Sequence, residues 1–457
     1  MKNIGVSFLF TLVLMSCEKP QNKNRIYFGG EILNPNSEYV ILMQNETVMD
    51  SIKLNTNNTF EKYYDSLQPG LYFFKHGNEF QYVFLEPKDS IRIRLNTWDF
   101  DESLVFDGIG SEKNDFLLSV FLMNEKEMDN FYSYFPLSES EFSAKYDEAY
   151  SRNFNELTQF LQMSPNISSG FKKLAEGAVT YPLYRFKELY PYYHQKLTQN
   201  DSILTVSPEF YNFRKNVNLN DPDLIAYYAY QNYISSYLYN DANTQNEFKG
   251  IDDNFKKILL NSIVEKIDNQ ELKNRLLYQE MFNCLFKSKG DFNSENLNLF
   301  YKNCTDEILV NKIKEIVILK EKLPIDSKFK DFQIVGPNQN TQLLSQLIKG
   351  KPSVVYFWSG DKSETDYIVK RVKYLSNNYP NIEFIGIYAD KKNLKASNLN
   401  LPNQFYLSDV SEGHNFLSKD FLRTIIVDKN GNIVHNYTLL TDMHIEKQLD
   451  QIGNKKK

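Results

Sequence analysis

The stretch SVVYFWSGDKSETD, residues 353–366, decides how the last third of the chain is read. Val354-Val355-Tyr356-Phe357-Trp358 is a short run of β-branched and aromatic residues. Such a run suits a strand buried on both faces. It stops at Ser359-Gly360. Asp361-Lys362-Ser363-Glu364 and Ser363-Glu364-Thr365-Asp366 then each offer a capping oxygen with an acid three residues on, a helix-start signature. Acids near a helix start suit its dipole, whereas Lys362 does not. A helix is expected over 364–377, and the stretch reads as strand, turn and helix.

The same alternation continues outward. A strand is expected over 382–388, and another over 424–428. The second pairs with 432–437 across Lys429-Asn430-Gly431, where Asn-Gly is a strong hairpin signal. A last helix is expected over 441–452, and 453–457 is a basic tail. This order predicts a mixed sheet with helices on both faces over 326–452.

Upstream the pattern changes twice. Residues 25–110 carry short alternating runs at roughly ten-residue spacing, the mark of a small sandwich or barrel. In one of them Ile91, Ile93 and Leu95 share a face and Arg92 and Arg94 share the other, a half-buried strand with a wet basic side. Residues 111–325 are helical in period, with breaks expected at Pro136, Pro165, Pro191, Pro208 and Asp221-Pro222-Asp223. The tyrosines at 227, 228, 230, 233, 237 and 239 read as a helix packed on its neighbours.

Composition narrows the function classes. The charge is −6, from 52 basic and 58 acidic residues, with no concentrated basic patch, which argues against nucleic acid as a partner. The five histidines are scattered without metal-ligand spacing. Gly-rich phosphate loops and nucleophile-elbow serines are lacking, so no cofactor, metal or catalytic residue is expected. Lys2, the apolar run from Ile4 to Met15 and small Ser16 have the order of a signal peptide over 1–16. Leu14-Met15-Ser16-Cys17 resembles a bacterial lipobox. That resemblance implies cleavage before Cys17, lipidation of its thiol, a tether over 17–24 and a membrane anchor in the cell envelope, facing the periplasm or in the outer membrane. The remaining cysteines, Cys284 and Cys304, admit a structural disulfide or two buried thiols.

The elements from Phe332-Gln333-Ile334-Val335 through Lys349-Gly350-Lys351-Pro352, Val355 to Ser359 and Ile426 to Val434 resemble, in order, a thioredoxin-fold domain of the TlpA-like kind. More loosely, the β region followed by Gly108-Ile109-Gly110-Ser111-Glu112-Lys113-Asn114 resembles the amino-terminal domain of Bacteroidetes envelope lipoproteins. The implied fold class is multidomain α+β: a small all-β amino-terminal domain, a helical middle region and a thioredoxin-like α/β carboxyl-terminal domain. The family's chemistry needs two cysteines at the helix start, where the dipole stabilises the thiolate, and a cis-proline facing them. Those positions fall on Lys362, Thr365 and Leu422, and no cysteine follows Cys304.

The expected function is therefore a redox-inactive binding or interaction module for a peptide or protein in the envelope. Its candidate groove is made by Trp358, Asp361, Lys362, Ser363 and Arg423. Two alternatives are a thiol-disulfide oxidoreductase using Cys284 and Cys304, and a structural envelope component.

Overall fold

The computed structural model describes residues 24–44, 47–199, 204–247, 249–287, 293–358, 362–388, 401–417, 423–442 and 444–455, with 362–366 by backbone alone. The chain forms two compact units. The first runs to Arg214 and takes in Asp223–Tyr233; the second holds Lys215–Pro222 and everything from Ile234.

In the first unit, strands β1 (Ile26–Leu33), β2 (Tyr39–Gln44), β3 (Thr47–Lys53), β4 (Thr59–Tyr64), β5 (Gly70–His76), β6 (Glu79–Leu85), β7 (Ser90–Asn96) and β8 (Val105–Ile109) enclose a short helix, α1 (Phe100–Ser103). They form two four-stranded sheets, β4-β1-β7-β8 and β3-β2-β5-β6. All pairings are antiparallel except β1 with β7. Period-two alternation drives the assembly. Phe28, Ile32, Val40, Leu42, Phe74, Val83, Ile91 and Leu95 point into one shared core and are completely buried. Each such side chain contributes about 1.5–3 kcal/mol of burial. This is the sandwich that the alternation predicts. Its β5–β6 turn needs Gly77, whose φ is +63° and where a Cβ would meet Asn36 Oδ1 at 2.3 Å.

Helices α2 (Ser111–Tyr134), α3 (Glu139–Met163) and α4 (Ser169–Thr198) follow, then a 3-10 segment, Pro208–Asn216, and α5 (Tyr228–Gln245). Ser138 opens α3 with a capping box, its hydroxyl accepting from Glu141 N–H while the Glu141 carboxylate accepts from Ser138 N–H. The many aromatics are core material: Phe131 stacks on Phe186 at 4.0 Å, Phe142 on Tyr190 at 4.1 Å and Phe116 on Phe160 at 4.3 Å. Tyr227, Tyr230 and Tyr233 are buried as expected, while Tyr228 is exposed. The break expected at Pro191 does not occur; α4 passes through both Pro182 and Pro191. Two contacts beside Pro191 fasten the helix although proline removes a backbone donor there. The Tyr190 hydroxyl donates to Leu137 O at 2.7 Å, and His194 Nδ1 lies 2.9 Å from Phe135 O.

The second unit holds α6 (Asp253–Lys266), α7 (Gln270–Lys287), α8 (Ser294–Asn303) and α9 (Glu307–Glu321). Asp252, Asn293 and Asp306 cap α6, α8 and α9 by accepting backbone N–H groups. The helical stretch 111–325 is thus divided between the two units.

The sheet that follows contains β9 (Gln333–Val335), β10 (Thr341–Leu343), β11 (Ser353–Trp358), β12 (Glu383–Tyr388), β13 (Gln404–Tyr406), β14 (Thr424–Val427) and β15 (Ile433–Thr438). Helices α10 (Leu344–Ile348), α11 (Lys362–Asn378) and α12 (Ile445–Leu449) flank it. Strand order is β10-β9-β13-β12-β11-β14-β15. Within it, β11 is parallel to β12 and antiparallel to β14, which is antiparallel to β15. That four-strand arrangement is the thioredoxin fold. All six residues of β11 are buried, as a central strand covered on both faces requires. Val355 and Phe357 enter one core with Leu344 and Ile348 of α10. Val354, Tyr356 and Trp358 enter the other with Ile368, Val372 and Leu375 of α11 and with Ile445 and Leu449 of α12. The β14–β15 turn is the expected one: Asp428 Oδ1 accepts the N–H groups of Asn430 and Asn432, and Gly431 takes φ +80°. The last helix is shorter than the expected 441–452.

Candidate functional site

The thioredoxin topology brings three parts of the chain to one end of the sheet. Strand β11 ends at Trp358, α11 begins at Lys362, and the backbone just before β14 lies beside β11, with Phe357 N–H donating to Arg423 O at 2.8 Å. Cys17, Asp361 and Leu422 lie outside the described residues. Lys362, Ser363 and Thr365 are placed by backbone only, in the first turn of α11.

Trp358 is buried and packs on its register partner Tyr388 with ring centroids 4.5 Å apart. Its indole N–H and the Tyr388 hydroxyl have no hydrogen-bond partner among the described residues. Nearby, Gln404 Nε2 donates to the Tyr356 hydroxyl at 2.8 Å. Burial pushes the phenols of Tyr356 and Tyr388 far above their usual range, so both stay neutral. Trp358 therefore lines the inside of the sheet end rather than an open groove.

Arg423 does not line the candidate groove as expected: its side chain is fully buried. Its guanidinium donates to three main-chain carbonyls: Leu319 O at 2.8 Å, Phe416 O at 2.9 Å and Asn436 O at 2.8 and 3.0 Å. The planar fork of arginine suits such divergent acceptors. Asn436 completes the fastening, donating from Nδ2 to Lys320 O at 3.1 Å and Leu323 O at 3.0 Å. These carbonyls belong to the carboxyl end of α9 and the residues just past it, where a helix leaves orphan acceptors. Lys320 turns the other way and donates from Nζ to Leu285 O, in the last turn of α7, at 2.9 Å. Burial, reinforced by Arg423, lowers the Lys320 pKa to about 8. Burial lowers that of Arg423 to about 10. The adjacency of 423 to the sheet end was legible in the sequence. Its commitment to α9 was not, because the partners lie about a hundred residues upstream.

No disulfide joins Cys284 and Cys304. Cys304 is buried at the carboxyl cap of α8, and burial pushes its thiol pKa up. A reactive thiolate needs the opposite environment. In the native protein, Cys304 should resist iodoacetamide and become labelled only when urea unfolds the second unit, as read by peptide mass mapping. Labelling at the rate of a free thiol would show that the site opens readily. Among the described residues there is no cluster of His, Cys, Asp or Glu able to hold a metal ion, and no helix long and apolar enough to cross a membrane.

No family model matches the chain, and no curated protein matches it. Solved structures do resemble a part of it. The thioredoxin domain of a thiol-disulfide oxidoreductase from Bacteroides vulgatus is 22% identical, covering 28% of this chain and 99% of its own, with a TM-score of 0.23. A thiol:disulfide interchange protein from a Bacteroides species is 22% identical over 25% of this chain and 80% of its own, with a TM-score of 0.21. The pneumococcal exposed lipoprotein thioredoxin from Streptococcus pneumoniae is 16% identical over 26% of this chain and 99% of its own, with a TM-score of 0.22. The fold assignment rests on the strand order described above.

Proposed function

We propose that the chain is an envelope lipoprotein, anchored through Cys17, whose thioredoxin-like domain is a redox-inactive binding module for a peptide or protein. One observation carries the reading: the domain keeps the thioredoxin strand order while no cysteine follows Cys304. Exchange of a disulfide needs a thiolate nucleophile and a second thiol to resolve the mixed disulfide. Neither residue type is present in the domain. Support for recognition comes from Trp358 Nε1 and Tyr388 Oη, which end β11 and β12 buried and without hydrogen-bond partners among the described residues. A buried polar atom left unpaired costs about 1–3 kcal/mol. Sites that keep such atoms call for a specific explanation, and recognition is one.

The test is turnover of a standard protein disulfide with a dithiol reductant. The expected rate equals the uncatalysed background. Turnover that disappears in Cys284→Ser or Cys304→Ser would overturn the reading in favour of an oxidoreductase. For the anchor, Cys17→Ser should release the protein from the membrane fraction, and mass spectrometry should find acyl chains on the amino-terminal residue of the wild type alone.

A further inference from the structure

The outer face of sheet β4-β1-β7-β8 carries a second site, independent of the carboxyl-terminal domain. Register places its side chains in three cross-strand rows. Tyr63, Tyr27, Ser90 and Ile109 form the first; Glu61, Gly29, Arg92 and Asp107 the second; Thr59, Glu31, Arg94 and Val105 the third. Their inward neighbours Phe28, Phe60, Ile91, Ile93 and Phe106 fill the core, so alternation sends these rows outward. The face is open: Glu61, Arg92, Arg94, Asp107, Val105, Ile109 and Tyr63 are all exposed.

The face is also hollow. Gly29 leaves the middle row without a side chain, and the Tyr27 ring takes up that space, its hydroxyl 2.5 Å from where a Cβ would stand. Beside it the four strands form a concavity of about 610 Å³ lined by Tyr27, Gly30, Glu31, Glu61, Arg92 and Arg94 among others. That volume lies within the usual range of small-ligand sites. Arg94 Nε is 3.4 Å from Glu31 Oε2, and Tyr27 packs on Tyr63 at 4.9 Å with Arg25 stacked 4.2 Å over Tyr63.

Three features choose the ligand class. The lining charges nearly cancel, three carboxylates against two guanidiniums, so neither a polyanion nor a cation is favoured. Strong acceptors and strong donors alternate on rigid strands, matching hydroxyl groups that each donate and accept. Tyr27 adds a flat amphipathic ring suited to the C–H face of a pyranose. We propose that this hollow binds a neutral saccharide, with Arg92, Glu31 and Glu61 taking its hydroxyls.

The experiment uses the full-length protein on an array of neutral, amino and acidic glycans, followed by calorimetric titration with the best neutral oligosaccharide retained. At least one neutral glycan should bind, and Arg92→Ala and Glu31→Ala should each weaken it at least tenfold. Both side chains sit on the open outer face, so the melting temperature should stay within about 2 °C of wild type, in keeping with surface substitutions. Retention of no neutral glycan, retention of acidic glycans only, or neutral-glycan binding unchanged in Arg92→Ala would each overturn the proposal.

Discussion

Replacing Lys113 with methionine should lower the stability of the first unit by about 3–5 kcal/mol, the usual cost of breaking a buried ion pair by removing one partner. Lys113 is buried in α2, and its Nζ lies 2.6 Å from Glu86 Oε1 and 2.9 Å from both oxygens of buried Asp89. Asp89 Oδ2 in turn accepts Glu86 N–H at 2.8 Å. The next residue, Asn114, extends the backbone pattern of β6 by accepting Phe84 N–H at 2.6 Å and donating to Phe84 O at 3.1 Å. Gly110 is required beside them. Its φ is +86°, and a Cβ there would meet Asp89 Oδ1 at 2.2 Å. Together these contacts account for Gly110-Ser111-Glu112-Lys113-Asn114 as the segment that ties α2 to the sandwich.

The pH dependence has a definite sign. Burial raises the Asp89 pKa above its usual range, and the Lys113 hydrogen bond and charge oppose that rise. Without Lys113 the pKa climbs further. An acid whose folded pKa exceeds its unfolded value loses stability as pH rises through that window and keeps the full penalty above it. Urea unfolding should therefore show the largest deficit at pH 7 and a smaller one at pH 5, where protonation relieves the unpaired charge. The double variant Lys113→Met, Asp89→Leu should recover part of the loss. A single-variant deficit under about 1 kcal/mol at pH 7, in the range of surface pairs, would show that water reaches the cluster.

The sequence was most legible where one physical rule dominates. Residues 354–358 form a continuous apolar run because β11 is covered on both faces, and all six residues of the strand are buried. Lys429-Asn430-Gly431 makes its turn because Asp428 and a left-handed glycine enforce it locally. The basic face of Ile91–Leu95 was also readable, since alternation alone sends Arg92 and Arg94 outward. The concavity beside them was not, because its lining is assembled from four strands whose register brings distant residues together. Pro191 misled for the same reason: its helix is held by Leu137 and Phe135, which local propensity does not see. The domain boundary within the helices was likewise invisible, since it follows from packing among distant segments.

Arg423→Leu should destabilise the second unit by about 2–4 kcal/mol, the balance of two opposed effects. Three buried carbonyls lose their donors, while a guanidinium with no carboxylate among its hydrogen-bond partners no longer has to be desolvated. Arg423→Lys should recover little, because a single ammonium cannot reach acceptors spread around a planar fork. The neighbouring Lys320 supplies a reporter. Its folded pKa of about 8 lies below the 10.5 of the free side chain, first through burial and then through Arg423. A base with a lowered folded pKa is penalised below that value, and stability rises with pH between the folded and unfolded pKa. Wild type should thus gain stability from pH 7 to pH 9 in urea titrations. In Arg423→Leu the like charge is gone, the Lys320 pKa moves up, and that gain should shift to higher pH. An unchanged pH profile would place the two cations too far apart to interact. Arg423 stands at the entry to β14. Here it fastens the sheet end to α9. Releasing it should loosen the domain without creating disulfide exchange, because no thiol follows Cys304.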